Sequence, residues 1–260
     1  MRRSVHETAL KGFGKSGALY ERSRPAYSAA ALEHIASLFP STEARVIDVG
    51  AGTGKFTACL LKHTSSSRIT AVEPVAGMRE KIMAEVEAVA GTAENLPLED
   101  SSADVVTCAQ AFHWFATEAA LKEFHRVLRP GGVLVCIWNT FDYSYSWLRD
   151  LEALRTPYYD PDTPRQQTKD WRAVFPSPLF HDLTEWTGHY RQPASHEIVA
   201  DRILSSSAVA AQTDDTKAKI RADIFAVLQA SPDTKANVDD LTIPYETLVV
   251  SAVVVKPESA

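Results

Sequence analysis

Residues 46–57 read VIDVGAGTGKFT, and the fold turns on how they are read. Val46-Ile47-Asp48-Val49 is rich in β-branched residues, which favour a strand. Glycines then stand at three alternate positions, Gly50, Gly52 and Gly54. Glycine at that density lets the backbone turn sharply and approach a bound group. The next stretch, KFTACLLKHT (55–64), has the apolar spacing of a helix. The product is a strand, a glycine turn and a helix whose first amides point out of the turn.

The same alternation continues outward. RITAVEP (68–74) reads as a second strand, closed by Pro74. VAGMREKIMAEV (75–86) places Met78, Ile82 and Val86 at helical spacing, so a helix is expected there. Val89 to Thr92 is expected as a third strand and ADVVTCAQ (103–110) as a fourth. Glu118 to Leu128 is helical and stops at Arg129-Pro130-Gly131-Gly132, before a fifth strand at VLVCIWN (133–139). Strands this uniformly apolar belong to a parallel sheet covered on both faces. Two later segments, LTEWTGHYR (183–191) and PYETLVVSAVVVK (244–256), read as strands, with helical stretches at 195–211 and 214–230 between them. The expectation is an α/β fold: a seven-stranded, mostly parallel sheet with an antiparallel last strand and helices on both faces. One domain over 1–260 is expected, with the aromatic and proline-rich stretch 140–182 inserted over the carboxyl edge of the sheet.

Composition narrows the function. Of 260 residues, 45% are hydrophobic and 23% charged, an ordinary globular balance. A net charge of −6 without basic clusters argues against a nucleic-acid partner. No apolar stretch approaches the ~20 residues of a membrane span. Arg2 and Arg3 precede no apolar segment, so no secretion signal is read. Cys59, Cys108 and Cys136 each lie in an apolar segment, without disulfide or zinc spacing. The eight histidines fall at scattered positions and support no metal site. A cytoplasmic protein is expected.

The ligand is legible at the sheet edge. In open α/β sheets, ligands bind beyond the carboxyl ends of the strands, where strand order reverses. About 20 residues beyond the glycine loop, the second strand ends in Glu73, the usual place for a carboxylate that holds a ribose diol. A nucleoside is therefore expected. The loop is G-x-G-x-G, whereas the dinucleotide fingerprint is G-x-G-x-x-G. Asp48, directly before the loop, sits awkwardly beside a pyrophosphate and suits a cationic ligand.

At these residues the chain resembles the class I S-adenosylmethionine-dependent methyltransferases. VIDVGAGTGKFT is similar to their first motif and AVEP (71–74) to their second. GTAENLPLEDSSADVV (91–106) and RVLRPGGVLVCIWN (126–139) follow in the family's order. The resemblance implies a Rossmann-like sheet and S-adenosyl-L-methionine as cofactor, with S-adenosyl-L-homocysteine as product. It also implies cofactor contacts at Asp48, Gly50, Ala51, Gly52, Gly54, Glu73, Pro74, Met78, Gln110 and Ala111, with Ala93 and Glu94 beside the adenine. The N-terminal ALYERSRPAY (18–27) resembles a Y-x-x-x-RP-x-Y segment of a small-molecule branch, methyltransferase-11-like, that includes trans-aconitate-type enzymes. By that likeness residues 1–44 form a helical lid over the cofactor-binding core 45–139. Tyr20, Arg24 and Tyr27 are its contact candidates, Arg24 for the methionine carboxylate; the alternative is an aromatic anchor for the N-terminal helix.

AQAFHWF (109–115) follows the fourth strand and carries the substrate side of the resemblance. His113 and Trp114 are expected nearest the sulfonium and the acceptor, with Trp138 and Asn139 toward the same edge. Aromatic faces stabilise a cation, although at least one of Phe112, Trp114 and Phe115 is expected in the core. His113 is the candidate general base, since its pKa lies near neutrality; a packing or hydrogen-bonding role is the competing reading. Methyl transfer is an in-line displacement that alignment alone accelerates, and a carboxylate acceptor needs no base. The aromatic stretch, with Tyr143, Tyr145, Trp147, Tyr158, Tyr159 and Trp171, is read as the wall of the acceptor pocket. The expected activity is methyl transfer to a small molecule, on oxygen. The alternatives are a nicotinamide-dependent oxidoreductase, which the early third glycine opposes, and a non-catalytic cofactor-binding protein, which would be free to lose the loop or the acid.

Overall fold

The computed structural model describes residues 25–257. Helix α1 (Ala29–Ser37) leads into β1 (Val46–Val49), α2 (Lys55–Leu60), β2 (Ile69–Val72) and a one-turn helix α3 (Ala76–Arg79). Then come β3 (Glu87–Val89), β4 (Ala103–Ala109), α4 (Glu118–Val127) and β5 (Leu128–Phe141). The remainder is α5 (Ser146–Arg155), β6 (Thr184–Ala194), α6 (His196–Leu204), α7 (Ser207–Ala210), α8 (Asp214–Ala230) and β7 (Leu241–Val253). The seven strands form one sheet in the order β3-β2-β1-β4-β5-β7-β6. The first five run parallel and the last strands antiparallel, as the sequence reading expected.

Alternate side chains of the central strands enter two separate cores. Ile47, Val49, Val106, Cys108, Leu134 and Cys136 pack with Leu121, Phe124 and Val127 of α4. Their neighbours Val46, Val105, Val133, Val135 and Ile137 pack on the other side with Leu32 and Ile35 of α1 and Phe56 and Leu60 of α2. Strands buried on both faces need apolar residues at every position, which is why these segments read as continuous runs. α4 is started by the Thr117 hydroxyl, which accepts from the Ala120 amide at 3.2 Å. All three cysteines are free. Among the described residues no helix is long and apolar enough to cross a membrane.

Two boundaries differ from the sequence reading. The helix expected over 75–86 is only the single turn of α3. Beyond it, Lys81 donates to Met78, Ile82 to Arg79 and Val86 to Met83, a series of three-residue turns. These turns still bury Ile82 and Val86, so the apolar spacing is satisfied without a continuous helix. The third strand is Glu87–Val89 rather than 89–92, because Thr92 turns back to exchange hydrogen bonds with Asn95. Gly91 permits that turn: a Cβ there would lie 2.7 Å from the Pro97 ring.

The chain falls into two compact units. One comprises Tyr27–Asn139, Pro164–Gly188 and the residues from Thr247 onward; it contains the glycine loop. The other includes Thr140–Thr163 and His189–Glu246 and is built on a third core. There Phe141, Trp147, Leu148 and Leu151 pack with Val199, Ile203, Ile220, Ile224, Ile243 and Tyr245. The stretch 140–182 is thus divided, its last residues, Trp171 among them, packing in the glycine-loop unit.

Candidate cofactor site

The loop after β1 is held by glycine conformations. Gly50, Gly52 and Gly54 have φ of 70°, 60° and 83°, the left-handed region that side chains disfavour. Gly50 and Ala51 both donate to the Val72 carbonyl, at 2.9 and 3.2 Å, and tie the loop to the end of β2. A Cβ on Gly50 would stand 2.9 Å from the Ala111 Cβ, and one on Gly54 would stand 3.3 Å from Ile82. Gly52 is different, because a Cβ there would meet only the Met78 methyl, at 3.8 Å. Two glycines therefore allow close packing, and the middle one has room for a Cβ in ordinary contact with Met78.

Glu73 reaches that middle glycine. Its Oε2 accepts from the Gly52 amide at 2.9 Å and its Oε1 from the Val75 amide at 2.9 Å. The side chain is only 5% exposed. The Arg79 guanidinium donates to the Glu73 and Pro74 carbonyls at 2.8 and 3.3 Å, fixing the backbone that carries the acid. The geometry suits a diol laid against the glycine loop.

Asp48 lies beneath the loop, 1% exposed. Thr57 donates to its Oδ2 at 2.6 Å and Thr107 to its Oδ1 at 3.0 Å. Burial pushes its pKa up to about 6, the two threonine hydroxyls pull it down, and the Glu73 charge adds to the rise. Two carboxyl groups in mutual electrostatic contact make this end of the sheet attractive to a cation. Met78 and Ala93 are buried, whereas Pro74 and Glu94 are exposed. Among the described residues no group of His, Cys, Asp and Glu could hold a metal ion.

The segment after β4 begins with Gln110 at φ 57°. Its amide donates to the Ile137 carbonyl at 2.8 Å and its side-chain Nε2 to the Asn139 carbonyl at 3.2 Å. Asn139 itself is buried, and Thr247 donates to its Oδ1 at 2.7 Å. Phe112 is fully buried among Phe115, Phe124, Trp171 and Phe175, and so supplies the core member expected of the aromatic trio. Trp114 is half-buried, its ring 5.3 Å from that of His113.

Trp138 sits deeper than its expected place at the acceptor edge. It is fully buried and stacks on Trp171 with ring centroids 4.7 Å apart. Its indole nitrogen donates to His113 Nδ1 at 3.1 Å. An indole N–H only donates, so Nδ1 accepts, and the neutral imidazole carries its proton on Nε2. In that tautomer Nε2 has a proton to give and none to take. A general base at His113 would first have to break the Trp138 bond.

Tyr20 and Arg24 lie outside the described residues. Tyr27 packs edge-on against Phe56 of α2, with centroids 4.9 Å apart. The sequence reading missed Thr57, Thr107, Thr247 and the Trp138–Trp171 stack. Thr107 left a faint signal, as a polar residue inside the apolar strand ADVVTCA.

Comparison with known proteins identifies the family. Residues 47–136 match the family described as Methyltransferase domain. The chain is 35% identical over 246 residues to an uncharacterized methyltransferase of Mycobacterium tuberculosis, covering 92% of this chain and 94% of that one. It is 32% identical over 247 residues to an uncharacterized methyltransferase-like protein of Schizosaccharomyces pombe, covering 94% and 95% of the two chains. The solved structure of a candidate type II methyltransferase from Anaeromyxobacter dehalogenans superposes with a TM-score of 0.68 at 22% identity, covering 88% of this chain and 97% of that one. At that identity the structural likeness speaks to the fold alone.

Proposed function

The chain belongs to the class I S-adenosylmethionine-dependent methyltransferases, and from that premise we propose that it methylates an oxygen of a small organic acceptor. Its cofactor is S-adenosyl-L-methionine, which supplies an electrophilic methyl group on a sulfonium. The observation that carries the reading is Glu73, pinned at the end of β2 against the glycine loop by the Gly52 and Val75 amides at 2.9 Å each. In this reading Glu73 takes the two ribose hydroxyls. Gly50, Ala51, Gly52 and Gly54 give the nucleoside a side-chain-free bed. Met78, Pro74, Ala93 and Glu94 border the base, and Gln110 and Ala111 border the loop from the β4 side. Asp48 contributes negative charge below a cationic ligand.

His113 and Trp114 orient the acceptor. With its Nδ1 engaged by Trp138, His113 serves as a hydrogen-bond donor through Nε2 and not as the base. An acceptor that is already anionic, such as a carboxylate, fits that arrangement, because it presents a lone pair and has no proton to lose. Trp138 and Asn139 act from behind, Trp138 by fixing the imidazole and Asn139 by holding Gln110 through its backbone carbonyl.

Calorimetric titration tests the reading. Wild-type protein is expected to bind S-adenosylhomocysteine and to give no heat with NAD. Glu73→Ala removes two charge-assisted hydrogen bonds and should weaken that binding by about a hundredfold. Equal affinity of the two proteins sinks the assignment. Incubation with isotope-labelled methyl donor and a panel of small hydroxy and carboxylic acids then reads out the acceptor. Label arriving in protein or RNA instead overturns the small-molecule part.

A further inference from the structure

The loop between β3 and β4 has no regular structure, yet two charged residues of α4 fix it from one side. It leaves the sheet beside Glu73, whose amide donates to the Val89 carbonyl at 3.1 Å. Gly91 follows, so close to β2 that a Cβ there would lie 2.9 Å from a Val72 methyl. Thr92 and Asn95 then exchange backbone hydrogen bonds at 3.3 and 3.1 Å, and Ala93 and Glu94 form the turn between them. Leu96 comes next, buried with Ala93 in the core that α4 covers.

Leu96 is gripped by both of its backbone groups. Its amide donates to Glu123 Oε2 at 3.0 Å, and its carbonyl accepts from Arg126 Nη2 at 3.0 Å. Three residues apart on α4, Glu123 and Arg126 share a helix face. There they offer what a neighbouring strand would offer, one acceptor and one donor to the same residue. The pair is bidentate: Arg126 Nε donates to Glu123 Oε1 at 3.0 Å and Nη2 to Oε2 at 2.9 Å. The Arg126 hydrogen bonds hold the Glu123 carboxyl below the usual carboxylate range, so the pair is ionised at neutral pH. Arg126 Nη1 donates to the Leu98 carbonyl and to Asp100 Oδ1, each at 2.7 Å. Every N–H group of the guanidinium therefore has an acceptor, either on this loop or on Glu123. A helical arginine ordinarily reaches into water; this one turns all its donors inward.

We infer that Glu123 and Arg126 are positioning residues for the base of S-adenosylmethionine. Through Leu96 they fix the place from which the Ala93–Glu94 turn meets the ring. Adenine carries an acceptor nitrogen beside an amino donor, and hypoxanthine reverses that order. A turn that is held still tells the two apart, whereas a turn free to shift accommodates either. The ion pair thus adds discrimination among bases to the stability it gives the loop. Its role at the base rests on the methyl-transfer reading above, which sets Ala93 and Glu94 beside the ring; its grip on Leu96 does not.

The test measures by calorimetry the affinities of S-adenosylhomocysteine and of S-inosylhomocysteine, its hypoxanthine counterpart. Wild type is expected to favour the adenine compound by about tenfold or more. Arg126→Met strips the Leu96 and Leu98 carbonyls of their donor and should cut that preference by about fivefold. Glu123→Ala should do the same. Glu123→Gln keeps a carbonyl oxygen for the Leu96 amide and should retain more of the preference than Glu123→Ala. Arg126→Lys keeps the charge without the planar fork and should fall between wild type and Arg126→Met. A merely structural role would lower both affinities together and leave their ratio unmoved. An unmoved ratio in Arg126→Met and Glu123→Ala overturns the proposal, as does a wild type indifferent to the base. If neither variant folds, Arg126→Lys decides, and a wild-type ratio there overturns the proposal equally. Wild-type protein that ignores S-adenosylhomocysteine sinks the methyl-transfer reading itself, whereas tight binding with a ratio unmoved by substitution sinks the positioning role alone.

Discussion

The two units differ in how completely their buried polar groups are met. In the glycine-loop unit, Asp48 is met by two threonine hydroxyls and Glu73 by two backbone amides, so each carboxylate is fixed by its own chain. In the other unit, buried atoms of Arg202 and Gln192 meet no partner among the described residues. A buried polar atom met by its own chain is held without any ligand, whereas one left unmet costs the fold free energy.

The contrast can be broken by substitutions, beginning with the largest effect. Trp171 is 2% exposed and stacks on Trp138 in the glycine-loop unit. Trp171→Ala should cost about 3–5 kcal/mol in a denaturant titration, since it empties a large core volume. A loss under 1 kcal/mol would show that this core is not tightly packed. Gly50→Ala forces a side chain to φ 70° and within 2.9 Å of the Ala111 Cβ. About 2–3 kcal/mol of destabilisation is expected, with a matching fall in S-adenosylhomocysteine affinity. Gly52→Ala, with room for its Cβ, should disturb folding less than Gly50→Ala; the reverse order would contradict the packing described.

Asp48 gives the pH test. Its folded-state pKa is raised to about 6, so the fold favours the protonated acid. Its effect on stability therefore worsens as pH rises from the unfolded value near 4 to about 6, and is flat above. Asp48→Asn does not titrate. Between pH 4 and pH 7 wild type should lose about 2 kcal/mol relative to Asp48→Asn, read from paired unfolding curves. A constant difference would place the Asp48 pKa at its ordinary value. The smallest effect is sought at Trp138→Phe, which keeps the ring but removes the donor to His113 Nδ1. About 1 kcal/mol of stability is expected to go. With that donor gone the imidazole is no longer held to one tautomer, and turnover is expected to fall while S-adenosylhomocysteine affinity stays within about twofold.

The legibility of the sequence followed the same line. VIDVGAGTGKFT and Glu73 could be read because their constraints are local: positive φ at glycines and a fixed spacing to the next strand end. The parallel sheet followed from apolar runs buried on two faces, and its antiparallel close from two late strands after a long connection. The turns of 79–86 escaped, since three-residue turns and an α-helix can bury the same residues, Ile82 and Val86. Trp138 was drawn to the acceptor edge by its place at the end of a strand, but which way its ring goes depends on Trp171, distant in sequence. Arg202 gave no signal, because a helical arginine ordinarily lies on the surface, and only the fold shows its Nε and Nη1 buried without a partner among the described residues.

The Asp48–Thr107 hydrogen bond joins residues 59 apart in the chain, across neighbouring parallel strands. Closing so long a loop costs entropy before any contact rewards it. The floor beneath the glycine loop therefore cannot close until β4 is in place. A nascent chain released before β4 has emerged carries the whole glycine motif and still lacks Thr107, one of the two hydroxyls that hold Asp48. On the ribosome, the motif is written well before the site exists.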